Sequence, residues 1–219
     1  MTSDRQLRVG VLALQGAFRE HLEYLAQAVA AAPFPGIQWH FCEVKTPAEL
    51  ERCDGLVIPG GELTAMLLIA QRTGMVEPLR DYCTTHPVWG TCAGLILLAT
   101  TIVDGKPDQV ALGALDVEVR RNAFGRQLDL FTAPVAFPWL EGEPFETVFI
   151  RAPVVTKVEP GVEVLSTVER GDGSKVVVAV RQRQVLGTSF HPELAGDYRF
   201  HRWFLSEFVV GDSASPASA

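Results

Sequence analysis

One thiol in this sequence sits where it could act as a nucleophile: Cys92, within Gly90-Thr91-Cys92-Ala93-Gly94, between an apolar β-like segment and an apolar helical one. A glycine on each side permits the tight strand-to-helix turn that lifts a nucleophile out of a sheet, the thiol counterpart of Gly-x-Ser-x-Gly. At the head of the following helix, unsatisfied N–H groups and the positive end of the helix dipole favour thiolate, the form that attacks. The same residues also suit a small buried cysteine in a glycine-rich turn.

A thiol that attacks an amide needs a base to hold its proton and return it to the leaving ammonia. Of the five histidines, His191 alone comes with a carboxylate in a compact motif, Ser189-Phe190-His191-Pro192-Glu193. In an extended segment residues two apart project to one side, so Glu193 can reach the imidazole nitrogen turned away from the thiol. A His-Pro-Glu triplet by itself also fits a surface turn; next to the Cys92 elbow it reads as the rest of a Cys-His-Glu triad. His21 and His40 read as core-edge or surface residues, His86 as a helix end, and His201 as a packing or partner-facing residue. The third candidate is Pro59-Gly60-Gly61-Glu62, after a buried strand and before a helix. Acyl transfer needs N–H donors aimed at a developing oxyanion. Gly61, in an exposed turn at a strand's carboxyl end, and Ala93, just after the nucleophile, are the candidates.

These motifs require a scaffold of alternating strands and helices. The pattern predicts strands over residues 7–14, 38–43, 55–58 and 88–89, with helices over 17–32, 47–52, 63–72, 76–85 and 93–101. That alternation implies a mostly parallel central sheet with helices on both faces, a three-layer α/β fold. From 112 to 189 the texture changes to short strands, over 115–120, 128–137, 148–150, 162–168, 176–181 and 185–189. With no linker between the parts, residues 1–210 read as one domain with a β-rich C-terminal half. The small polar tail, 211–219, reads as disordered.

Composition narrows the class. A net charge of −7, without a Lys/Arg cluster, supplies no field for phosphate backbones, so nucleic acid is not expected. Neither a secretory signal nor a membrane-length apolar run is legible, and the expectation is a cytoplasmic protein. Cys42, Cys53, Cys83 and Cys92 lack the paired spacing of a structural zinc site and read as free thiols.

The chain resembles the class I glutamine amidotransferases, and within them the glutaminase subunits of pyridoxal 5′-phosphate synthase. The Cys92 and His191 motifs mark the wider superfamily. The subfamily is marked by the run from Val9 to Ala17, by Arg121-Asn122-Ala123-Phe124-Gly125-Arg126-Gln127 and by Phe149-Ile150-Arg151-Ala152-Pro153. The resemblance implies a flavodoxin-like α/β fold with Cys92 as nucleophile, His191 as base and then acid, and Glu193 as its orienting carboxylate. It implies a pocket for L-glutamine lined by Gly60, Gly61, Glu62, Arg121, Ile150 and Arg151, with no metal or organic cofactor. A guanidinium fork suits the substrate carboxylate and Glu62 suits its ammonium; by residue type alone, either arginine also fits an exposed structural ion pair.

The implied partner is a (β/α)8-barrel synthase subunit that receives ammonia within a large hetero-oligomer. The rivals are a glutaminase subunit of another pathway, such as histidine biosynthesis, and a non-catalytic binding protein of the same fold. Three departures stand out: Leu63 and Ala123 replace family serines, and residues 30–38 look longer than usual, an insertion expected in a surface loop.

Overall fold

The computed structural model describes residues 4–103, 105, 110–121, 130–170 and 173–211. Four short apolar segments form the parallel half of the sheet: β1 (Arg5–Leu12), β3 (Gly55–Ile58), β4 (Val88–Thr91) and β12 (Val185–Thr188), with β2 (Ile37–Val44) outside β1. Their order is β2-β1-β3-β4-β12 and every pairing is parallel. In β3, β4 and β12 every residue is buried, as expected of strands covered on both faces.

Beyond β12 the same sheet continues through β11 (Lys175–Gln182), β9 (Val154–Val158), β6 (Leu115–Arg120) and β5 (Ala99–Val103), while β10 (Glu163–Glu169) pairs with β11. Here antiparallel pairings dominate, and only β5–β6 is parallel. The β-rich half is thus an extension of the first sheet. A separate hairpin, β7 (Leu130–Val135) with β8 (Phe145–Ile150), lies apart from it.

Helices cover both faces, as the alternation implied. One face carries α2 (Pro47–Leu50), α3 (Leu63–Arg72), α4 (Val76–Thr85) and α5 (Ala93–Leu98), around a core that includes Leu56, Ile58, Met66, Leu79, Leu95 and Val180. The other carries α1 (Phe18–Ala31), α6 (Arg199–Phe204) and a π-helical continuation, Leu205–Val210, around Trp89, Phe145, Phe190, Phe200 and Phe204. No helix among the described residues is long and apolar enough to cross a membrane.

Two expectations need correction. The helix expected over 93–101 stops at Leu98, because Ala99 is already extended (φ −63°, ψ 154°) and a β-branched run follows it. Thr100 Oγ1 then bonds the Leu115 carbonyl at 2.8 Å, tying β5 to β6. Sequence reading also passed over β9, although Val154-Val155-Thr156 is itself β-branched. Residues 30–38 do contain a loop, between α1 and β2, and it is anchored: Arg202 bonds the Ala32 carbonyl and stacks over Phe34 at 4.1 Å. Residues 122–129, which include Ala123 and the start of the strand expected over 128–137, lie outside the described residues, as do 212–219 of the tail.

Candidate active site

The carboxyl ends of four neighbouring parallel strands converge, and each delivers one piece of the site: Gln15 after β1, Gly60 and Gly61 after β3, Cys92 after β4, and His191 beyond β12. Open α/β sheets bind ligands at this edge.

Cys92 is held with φ 48° and ψ −103°, a left-handed conformation that L-residues rarely occupy and that marks strained functional turns. The flanking glycines are required by close approach. A Cβ on Gly90 would meet the Gly94 carbonyl group at 2.6 Å, and one on Gly94 would overlap the Ile58 carbonyl oxygen. Cys92 N–H bonds Thr188 O at 2.8 Å, pinning the elbow to β12.

His191 follows β12, and its N–H bonds Val148 O of β8 at 2.7 Å. Its ring Nδ1 lies 2.8 Å from Glu193 Oε1, as expected for an orienting carboxylate. The ring also lies over Gly60, where a Cβ would meet His191 Cε1 at 2.5 Å and Cys92 Cβ at 3.3 Å. Only a glycine leaves room there for thiol and imidazole to face one another. Burial opposes charge on His191, but interactions with Cys92 and Glu193 outweigh it and lift its pKa to about 10. Burial likewise opposes charge on Glu193, yet His21 and His191 more than compensate, so its pKa is lowered.

A cavity of about 400 Å³ opens beside these groups. Of the residues singled out from sequence, Gly61, Glu62, Cys92, Ala93 and His191 line it, as do Arg121, Ile150 and Arg151. Gly60 sits beneath the His191 ring and Glu193 behind it, so neither forms the wall. Leu63 and Ile96 add apolar surface. Arg151 adopts φ 42°, a second strained non-glycine residue at the site. Glu62 is the N-cap of α3 and accepts bonds from Ala65 N at 2.7 Å and Thr64 N at 3.1 Å. These bonds, with Arg121 nearby, keep its pKa low against a smaller opposing effect of burial.

Sequence reasoning missed two features. Gln15, just past the strand expected over 7–14, lines the cavity, and its Oε1 accepts from Glu62 N at 2.7 Å. The signal was a polar side chain at the carboxyl end of a central parallel strand. His21, expected at the core edge or surface, is fully buried on the stripe it shares with Leu25 and Ala28, and its Nε2 lies 3.3 Å from Glu193 Oε2.

The chain belongs to the SNO glutamine amidotransferase family, whose model matches residues 11–210. Subunit PdxT of the pyridoxal 5′-phosphate synthase of Leifsonia xyli subsp. xyli is 52% identical over 199 residues, 90% of this chain and 94% of that protein. Its counterpart from Salinispora arenicola is 49% identical over 197 residues, with the same shares covered. A crystal structure of a glutamine amidotransferase, 44% identical, superposes with a TM-score of 0.76 over 90% of this chain and 97% of that one.

Proposed function

We propose that Cys92, His191 and Glu193 hydrolyse L-glutamine to glutamate and ammonia, and that the ammonia passes to a separate synthase subunit. Family membership, with close agreement to PdxT subunits over nine-tenths of the chain, makes the protein a glutaminase subunit of pyridoxal 5′-phosphate synthase. The observation that carries the residue assignment is the strained Cys92 elbow beside an imidazole whose far nitrogen is held at 2.8 Å by Glu193, all at one cavity.

The Cys92 thiolate attacks the side-chain amide carbon, and the N–H groups of Gly61 and Ala93 receive the developing oxyanion. Imidazolium His191 gives its proton to the departing nitrogen, ammonia leaves, and a γ-glutamyl thioester remains. His191, now neutral, takes a proton from water, which attacks the thioester; collapse of the tetrahedral intermediate breaks the C–S bond, and glutamate departs leaving Cys92 thiolate beside imidazolium His191. Glu62 receives the substrate ammonium with the lone pairs its helix-capping bonds leave free. Arg121 and Arg151 receive the α-carboxylate, and Ile150 packs against the methylenes. Gly60 lies beneath the reacting pair. Leu63, where a family serine would stand, adds apolar wall and removes one hydroxyl contact.

The partner that consumes the ammonia is a (β/α)8-barrel synthase subunit, joined with this chain in a large hetero-oligomer. Four free cysteines among the described residues suit the reducing cytoplasm as its location. The experiment is glutamate release with and without the synthase subunit, comparing the intact chain with Cys92→Ala. The expected result is Cys92-dependent release that rises on docking; equal rates for the two chains overturn the assignment.

A further inference from the structure

We propose that His21 completes the triad as a positioning residue: its Nε2–H holds the second oxygen of Glu193 and thereby fixes how Glu193 presents the first to His191. This rests on the glutaminase reading above, because His21 acts through the triad.

Glu193 is 2% exposed, and while its Oε1 engages His191, its Oε2 is buried and accepts no well-aligned hydrogen bond among the described residues. His21 Nε2 stands 3.3 Å from that oxygen. A buried carboxylate oxygen without a donor is costly, so whichever group faces it is under pressure to present hydrogen rather than a lone pair. His21 Nδ1 in turn lies 2.9 Å from His201 Nε2, with both rings fully buried.

Two independent observations select the same tautomers for this pair. If His21 carried its proton on Nδ1, the Nε2 lone pair would accept from the Thr91 hydroxyl at 3.3 Å but would also face a carboxylate oxygen at 3.3 Å and be repelled, leaving that oxygen without a donor. His21 would also be donating to His201, whose own proton would then sit on Nδ1, and that atom is buried without a partner among the described residues. With the proton on His21 Nε2, His201 Nε2–H donates to His21 Nδ1, and the unpartnered atom is only an acceptor, the less costly orphan. The chain therefore runs from His201 Nε2–H to His21 Nδ1, and from His21 Nε2–H, which is shared between Thr91 Oγ1 and Glu193 Oε2 at 3.3 Å each, to the carboxylate.

Position and packing fit this role. Thr91 Oγ1, in the elbow just before Cys92, is also 3.3 Å from His21 Nε2, so His21 bridges the strand of the nucleophile and the carboxylate of the base. Trp89 packs edge-on against both imidazoles, with centroids 5.7 Å from His21 and 5.0 Å from His201. Burial lowers the pKa of both rings, Glu193 offsetting only part of the effect at His21. A neutral donor orients Glu193 without cancelling the charge that His191 needs.

The test uses the complex with the synthase subunit and three substitutions. A glutamine amide nitrogen is as many bonds from Cβ as imidazole Nε2, whereas an asparagine amide nitrogen matches Nδ1. His21→Leu is expected to lower kcat roughly ten- to hundred-fold, by analogy with loss of the hydrogen-bond partner behind a metal-ligating side chain, with KM for glutamine unchanged. His21→Gln should recover most of kcat and His21→Asn should not. Equal kcat for the Gln and Asn variants, or losses that follow only the folded fraction, overturns the proposal; the Gln–Asn pair decides even if the Leu variant does not fold. If the unsubstituted complex shows no Cys92-dependent release, the glutaminase reading falls and takes this one with it. Activity in that complex with indistinguishable variants removes the role of His21 alone.

Discussion

Gly90→Ala tests whether the elbow geometry follows from backbone approach. The added Cβ would stand 2.6 Å from the carbonyl carbon and oxygen of Gly94 and 2.5 Å from Leu98 Cδ1. The leucine tip can swing away, but the Gly94 backbone must retreat by about 0.4 Å to reach the 3.0 Å floor of Cβ contacts and about 0.8 Å to reach ordinary contact at 3.4 Å. Residues 90 and 94 bracket Cys92, so the displacement opens the turn that carries the thiol. Overpacking of this kind costs about 1–3 kcal/mol, or roughly 2–12 °C in Tm for a domain of this length. A 1 Å misplacement at a reacting centre costs on the order of 100-fold, so a shift of half that predicts roughly a tenfold fall in kcat for glutamate release. Thermal unfolding of the purified chain and glutaminase turnover of the complex are the assays. A Tm within about 1 °C of the parent, with turnover within about twofold, would refute the claim that the glycine is required.

Glu193→Gln should lower kcat by roughly 10³- to 10⁴-fold, by analogy with amide replacement of the acid in a Ser-His-Asp triad, while unfolding in urea shows a folded protein; a loss below tenfold would count against an orienting role. The raised pKa of His191 contributes stability that is fully present below its ordinary value of 6.5 and is lost as pH rises through about 10. A pH series of Tm should therefore decline across that window, and His191→Asn should flatten the decline; in the parent complex kcat/KM should fall on the alkaline side with an inflection near 10. Thr46 caps α2 in a reciprocal box with Glu49, so Thr46→Ala should cost about 1 kcal/mol in urea unfolding without changing turnover. Leu25, fully buried on α1 beside His21, should cost about 2–5 kcal/mol when cut to alanine.

The residues that could be read from sequence are those whose chemistry is local. Gly90, Cys92 and Gly94 declare an elbow within five positions, and His191 and Glu193 sit two apart, so one turn of chain brings them together. The central strands were legible because β3 and β12 are short apolar runs buried on both faces. Boundaries failed where two periods merge: residues 93–99 are small or apolar without a break and run straight into Thr100-Thr101, and only the extended backbone at Ala99 divides helix from strand. Long-range partners were invisible. His21 is 172 residues from Glu193, and from sequence it reads as an ordinary core-edge or surface histidine of α1 until β4, α6 and the turn after β12 close around it. Gln15 was hidden for the same reason, since its partner Glu62 lies on another strand's loop.

The central claim is that Cys92 is the nucleophile of a glutamine-binding pocket. Its most direct test is reaction of the complex with a glutamine-analogue electrophile, followed by mass mapping of the adduct among Cys42, Cys53, Cys83 and Cys92. One adduct is expected, on Cys92, suppressed by excess L-glutamine. An adduct on another cysteine, or none with the synthase subunit bound, would contradict it.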